Sequence, residues 1–325
     1  MLMPKNRICI AAAALALAVT VSGCSKDKGQ AKELMEQALA KQPEMTAYSF
    51  AGSANLNIDL PAPQGANLLT GTLMGLFTQA NLEWNGAAST SPVRLEADLK
   101  STPQGSSTPI ELPIMIKDNK LYLHIPLLSK QDEFYSLDMT ELAGLSGQSN
   151  PVSAESLNNL TKAVSGAMQL LISDMDAKWF KEADSATLQD GTKLKTYRLE
   201  ITDKNRSGVE AAVKNKLPQL AGLFSSTGLL NSEGSAWTKA AEGLVLQAPG
   251  AITVSVDEAG YIREQSIKLV CTVAGTDGKS RPASIDLKQT YNDVNNNPKF
   301  NKEVPANARS LADILKLFMP SSGKK

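Results

Sequence analysis

The sequence predicts an α+β fold, an antiparallel sheet of about ten or eleven strands with helices packed on one of its faces. Three observations lead there. Apolar and polar residues alternate with period two along most of the chain, in runs separated by short turn signals. Two blocks of helical spacing, near 153–175 and 205–246, interrupt the list of strand-like runs. Strands joined mostly by turns pair antiparallel, and helices inserted between them must pack back on the sheet.

A first helix is marked by Ala31, Leu34, Met35, Ala38 and Leu39, one buried stripe that ends at Pro43. Tyr48, Phe50, Ala54, Leu56 and Ile58 then alternate with Ser49, Ser53, Asn55, Asn57 and Asp59, a long strand with one buried face. Residues 60–75 break the pattern with Pro61, Pro63, Gly65 and Gly71, yet carry Leu68, Leu69, Leu73 and Met74. So apolar a loop is unusual on a soluble surface. Strands resume at Thr78–Ala87, Val93–Ser101 and Thr108–Ile116, and Asp118-Asn119 turns the chain tightly into Leu121–Ile125. Glu133–Leu137 is a further short strand.

In the middle, Leu157, Leu160, Val164, Met168, Leu171 and Met175 form a helical stripe with Ser153 as its cap. Trp179-Phe180 and Lys193–Ile201 return to strand. A second helical block holds Val209, Val213, Leu217, Leu220 and Phe224, with Pro218 placed to kink or divide it. Residues 232–246 read as another, weakly amphipathic helix. Strands at Ile252–Val256, Tyr261–Ala274 and Ser284–Tyr291 follow, and Ser310–Phe318 closes the chain as a short helix.

Composition narrows the function. Of 325 residues 42% are apolar, which excludes a wholly disordered chain, and 33 basic residues balance 33 acidic ones. No global charge therefore favours nucleic acid or an anionic surface. One histidine and three cysteines exclude His-cluster metal sites, most zinc sites and a multi-disulfide scaffold, and no cofactor motif is present.

The N-terminus is the sharpest signal. Lys5 and Arg7 precede an apolar run from Ile8 to Val21, the layout of a secretory signal peptide, and the run is too short to span a bilayer comfortably. Val21-Ser22-Gly23-Cys24 resembles the bacterial lipobox. In that motif the cysteine thiol receives a diacylglyceryl group, and small residues such as Gly23 let the peptidase cut before Cys24. Residues 1–23 are then a cleaved signal, 24–30 a polar tether, and 31–325 one large α+β domain. Two acyl chains on Cys24 would hold the protein at the extracytoplasmic face of the cell membrane.

Catalytic material is sparse. His124 shares its face with Tyr122 and is read as structural, as is Cys271, in phase with Ile267, Leu269 and Val273. No Gly-x-Ser-x-Gly elbow, P-loop or His-Glu-x-x-His occurs, so the protein is read as a non-enzyme, His124 being the best general base if that reading fails. The apolar material says more. Leu69, Leu73, Met74 and Phe77, with Met168, Leu171, Met175, Leu220 and Phe224, supply more hydrophobic surface than one sheet face needs. Two readings stand: an ordinary helix-on-sheet core, or helices standing off the sheet around an apolar cavity.

The order of elements is similar to that of bacterial lipoproteins of the LolA/LprG/LppX type. The lipobox, the helix leading into Tyr48-Ser49-Phe50-Ala51-Gly52, the mid-chain helices and the closing Thr290-Tyr291-Asn292-Asp293-Val294-Asn295 before Val304-Pro305 carry the resemblance. It implies a strongly curved half-barrel with helices on its concave face, around a cavity for a lipid or acyl chain. The block at 205–246 is extra to the compact members. The rival reading is an envelope interaction or assembly lipoprotein with a solid core and a protein or cell-wall partner.

Overall fold

A computed structural model of the chain describes residues 26–58, 76–126, 133–139, 154–225, 243–274 and 279–313. Three long α-helices lie among them, α1 (Lys26–Lys41), α2 (Ala154–Ser173) and α3 (Arg206–Ser225), with single 3-10 turns at Gln42–Glu44 and Ala177–Trp179 and shorter α-helical pieces at 76–78 and 311–313. The strands are β1 (Ala47–Ile58), β2 (Gln79–Thr90), β3 (Val93–Pro103), β4 (Ile110–Lys117), β5 (Lys120–Leu123) and β6 (Tyr135–Asp138). After α2 come β7 (Phe180–Thr187), β8 (Lys193–Ile201), β9 (Val245–Val256), β10 (Ile262–Ala274), β11 (Ser280–Asn292) and β12 (Arg309–Ser310).

All twelve strands belong to one open sheet, in the order β12-β6-β5-β4-β3-β2-β1-β11-β10-β9-β8-β7. Two meanders run in opposite directions from the centre. They are joined where β1 pairs with β11 over ten residues, from Ser49↔Asn292 to Ile58↔Ala283. The strand count exceeds expectation because of β12, a two-residue strand parallel to β6 that the alternation pattern cannot register. The fold is α+β and fits a curved half-barrel.

Local irregularities bend the sheet. Opposite β10, the register of β9 slips between Lys268↔Ala251 and Val270↔Gln247, so that Ala248-Pro249-Gly250 bulges out. Pro249 lacks a ladder donor and belongs at such a bulge. The hairpin at Asp118 and Asn119 has φ of 51° and 59°, the left-handed pair of a type I′ turn, as the sequence predicts.

The helices pack against one face at the β7–β9 end. Met35 and Leu39 of α1, Ile172 of α2 and Val209 of α3 are buried against Phe180, Leu199, Ile252 and Val254. Antiparallel α2 and α3 are tied by Lys216 Nζ to Asp174, 2.7 Å, and α1 runs antiparallel to α2. Lys32 Nζ donates to the carbonyls of Ser173 (2.6 Å) and Met175 (2.9 Å), capping the end of α2 with a cation where the helix dipole favours one.

Four expectations are corrected. Lys26–Gln30, expected as a tether, is the first part of α1, since these residues include no proline and continue the turns of a helix that is buried from Ala31 onward. Val245 and Leu246, expected at the end of a helix, begin β9; the remainder of 232–244, Gly243 and Leu244 apart, lies outside the described residues. Pro218 does not divide α3, since it sits on the exposed side, where water serves the carbonyl it leaves unpaired. Ser310 is in β12, and helix begins at Leu311; residues beyond 313 are not described.

Glu210 of α3 pins the entry of β9. Its carboxylate accepts from Lys214 Nζ (2.8 Å) and from the Leu246 amide (3.1 Å). The Lys214 hydrogen bond is the main cause that holds the Glu210 carboxyl below its ordinary range. A depressed folded pKa adds stability above the unfolded value and loses it as pH falls through the folded one. Glu210→Gln should therefore lower the urea midpoint at neutral pH and reduce the further loss on acidification. Parallel denaturation curves at neutral pH and below the carboxylate range check this.

Candidate functional site

The period-two register carries one apolar face across the whole sheet. From β1 it takes Phe50, Gly52, Ala54 and Leu56, whose partners are Gly86, Trp84, Leu82 and Ala80 on β2 and Tyr291, Gln289, Leu287 and Ile285 on β11. Outward it continues through Leu99 of β3, Leu112 and Ile114 of β4 and Leu123 of β5, and on the other side through Ile267 and Leu269 of β10. Ile267 pairs with Ile252 and Ile252 with Leu199, so this is the face on which the helices pack.

Burial along that face is uneven. Under the helices Leu199 and Phe180 are 0% and 1% exposed. On the central strands Ala54, Ala80, Leu82 and Leu112 are buried, whereas Leu56, Leu99, Ile114, Leu123, Ile267, Leu269 and Ile285 between and beside them are only half-buried. The polar face alternates with them, and Ala51, Ser53, Asn55, Glu83 and Asp286 are exposed. Half-buried aliphatics on several neighbouring strands form an apolar floor beside the helix layer.

One end of that floor is polar and aromatic. Tyr48 meets Tyr291 edge-on at 5.5 Å and Phe50 at 6.1 Å. Trp84 lies across Gly52 and donates from Nε1 to Gln289 Oε1, 2.7 Å. Gln289, 8% exposed, spends its amide on the carbonyls of Ala51 and Thr290. The Tyr291 hydroxyl accepts from Gln42 and Gln265, both at 3.2 Å. Burial pushes the Tyr291 phenol well above its ordinary value and raises that of Tyr48, so both remain neutral hydrogen-bonding groups.

The residues expected at a cavity are distributed as follows. Met175 is buried in the helix-on-sheet core with Met168 packed against it, Leu171 is half-buried on α2, and Leu220 is 9% exposed on α3. Phe77, 36% exposed, lies on the helical turn before β2. Phe224 belongs to α3, with its side chain outside the described set, and Leu69, Leu73, Met74, Gly23 and Cys24 lie outside the described residues. Sequence reasoning missed the Tyr48–Phe50–Trp84–Tyr291 cluster. The available signal was Gly52, an interior strand glycine in phase with aromatic neighbours, a mark of close approach.

His124 is fixed by Nδ1–H donation to the Glu133 carbonyl, 2.8 Å, against the Phe134 ring. Cys271 is half-buried on the inner face, and desolvation raises its thiol pKa, which disfavours the reactive thiolate. Among the described residues no group of His, Cys, Asp and Glu could hold a metal ion, and no helix is long and apolar enough to cross a membrane.

No protein-family model matches the chain, and no curated protein matches it. Solved structures do. The lipoprotein LppX of Mycobacterium tuberculosis is 12% identical with a TM-score of 0.38, over 84% of this chain and 98% of that one. LprF from Mycobacterium bovis is 10% identical with a TM-score of 0.37, over 85% and 97%. The likeness is one of layout.

Proposed function

We propose that the protein is a non-enzymatic lipoprotein of the cell envelope, anchored by lipid on Cys24, that binds a hydrophobic ligand against the inner face of its sheet. The observation that carries this reading is a set of aliphatics, Leu99, Ile114 and Ile285, half-buried on the inner face of β3, β4 and β11 and part of no buried cluster, on the same face whose β7–β9 end the helices bury fully. A floor of this kind gains about 25 cal/mol for each Å² of apolar surface removed from water by a bound chain. The anchor supports the reading as well. Helix α1 starts two residues after Cys24 and packs directly on the sheet, so the body is held close to the bilayer that would supply the ligand.

The test uses the chain from Ser25 onward, expressed in bacteria and purified without detergent. Native mass spectrometry should detect a co-purified lipid adduct. Leu99→Glu and Ile285→Glu place carboxylates on the floor at positions that belong to no buried cluster, and should abolish the adduct while the protein stays folded. A ligand-free wild-type protein, or adducts that survive both changes, would point instead to a solid core and an interaction role.

A further inference from the structure

A groove of about 780 Å³ lies apart from the inner floor, between α1 and the β7–β8 hairpin, closed at one end by the β9–β10 turn. Its volume is in the range of small-molecule sites. One wall is a single stripe of α1 in which Leu34, Ala38 and Lys41 follow each other at helical spacing. The opposite wall is β8, where Lys193, Lys195 and Tyr197 alternate onto the side that faces α1.

The charges are unevenly spent. Lys41 is held in place, its Nζ 2.5 Å from the Ala259 carbonyl and 4.5 Å from the centre of the Tyr261 ring. Asp257 is engaged by the Tyr261 amide (2.9 Å) and by Arg263 (3.4 Å). Among the described residues the ammonium groups of Lys193 and Lys195 have no ion-pair or hydrogen-bond partner, and the exposed Glu258 is the remaining carboxylate of the lining. Two residues apart on one strand face, the lysine stems start about 7 Å from each other, so both ammonium groups can reach one anion. An anion placed there gains two counter-charges, and the partly exposed Leu34 and Ala186 give the groove an apolar strip beside Gln37 and Ser185.

We infer that this groove is a second binding site, for an amphiphilic anion whose carboxylate or phosphate sits between Lys193 and Lys195 and whose chain lies along α1. The floor of the sheet holds an apolar ligand without a charged partner. The groove instead selects by charge.

Titration calorimetry on the chain from Ser25 onward, with dodecanoate and dodecanol below their aggregation limits, tests this. Dodecanoate should bind with at least about tenfold higher affinity in the wild type than in the Lys193→Gln/Lys195→Gln double variant, and about 0.5 M salt should weaken it comparably. Both lysines are exposed, so the double variant keeps its fold, and its dodecanol binding should match the wild type. Gln37→Trp, an exposed change that fills the groove, should block dodecanoate. Equal dodecanoate affinity in wild type and double variant would overturn the inference. So would loss of dodecanoate binding in Ile285→Glu with none in the lysine variant, which would move the anion to the inner floor and leave the proposed ligand site standing.

Discussion

Gly86→Ala should destabilise the protein by about 3 kcal/mol, although it adds one methyl group. Gly86 pairs with Ala97 on β3 and Phe50 on β1. A Cβ at this position would overlap the Glu96 backbone carbonyl, meet the Phe50 ring at 2.8 Å and the Ala97 Cα at 3.0 Å. Two of those three neighbours are backbone, so relief requires β2 and β3 to separate, where a side chain could have rotated away. Two other glycines calibrate the result. At Gly52 the three atoms nearest a Cβ all belong to the Trp84 indole, the first at 2.5 Å, and the ring can turn at the loss of its bond to Gln289; Gly52→Ala should cost about 1–2 kcal/mol. Gly222 is exposed in α3 with nothing within 4 Å, and Gly222→Ala should stabilise by about 0.5–1 kcal/mol. Urea midpoints of the three variants check the order. A Gly86→Ala loss no larger than that of Gly52→Ala would show that β2 and β3 can part cheaply.

The same glycines show why some of the fold can be read from the sequence and some cannot. Strand and helix identity follow from local periodicity, and β1, β4, β8, α1 and the Asp118-Asn119 hairpin appear where the alternation and turn residues place them. Curvature does not, because it depends on where a strand yields. Ala248-Pro249-Gly250 looks like a boundary and is a bulge inside β9, which cut seven residues from that strand in the sequence reading. The pairing of β1 with β11 leaves no local trace either, since it joins segments some 240 residues apart along the chain.

The candidate site divides the same way. Its apolar floor is visible as the period-two face of Phe50, Ala54 and Leu56, and of Ile267 and Leu269. What periodicity cannot supply is burial. The spacing of Met168 and Met175 is the same whether α2 rests on a packed core or stands off it, and they prove to pack with the main core. The groove under α1 is harder still to foresee. Lys193 and Lys195 alternate with Leu194 and Thr196 along β8, and only the fold turns their face toward α1.

Glu96→Ala should cost about 3–5 kcal/mol and release the C-terminal segment from the outer face of the sheet. Glu96 is 4% exposed on β3, on the face opposite the helices. One carboxylate oxygen accepts from the backbone amides of Asn301 (2.6 Å) and Lys302 (2.8 Å), the other from Arg94 Nη2 (2.6 Å) and Nε (3.1 Å). Arg94 in turn stacks on Phe300 at 4.5 Å, and Lys302 Nζ reaches the Ala97 carbonyl and the Asp98 carboxylate. Removing the buried carboxylate thus takes from two backbone amides and the Arg94 guanidinium the acceptor they share, leaving Arg94 only the Lys302 carbonyl at 3.3 Å. Glu96→Gln is not a neutral replacement, because one oxygen becomes an NH₂ group facing donors; it should fall between wild type and Ala. The consequence travels along the chain. Beyond Lys302 the segment reaches β12, where the Arg309 amide bonds the Phe134 carbonyl at 2.9 Å and Leu311 and Ala312 are buried with Tyr135 and Leu137. This cover blunts the β6 edge, which would otherwise present unpaired strand groups. Hydrogen exchange should therefore show protection lost together at 299–303 and 309–312 in Glu96→Ala, with Leu199 and Val254 under the helices unchanged. Retained protection at 309–312 would mean that β12 and Leu311 hold the edge without the Glu96 clasp.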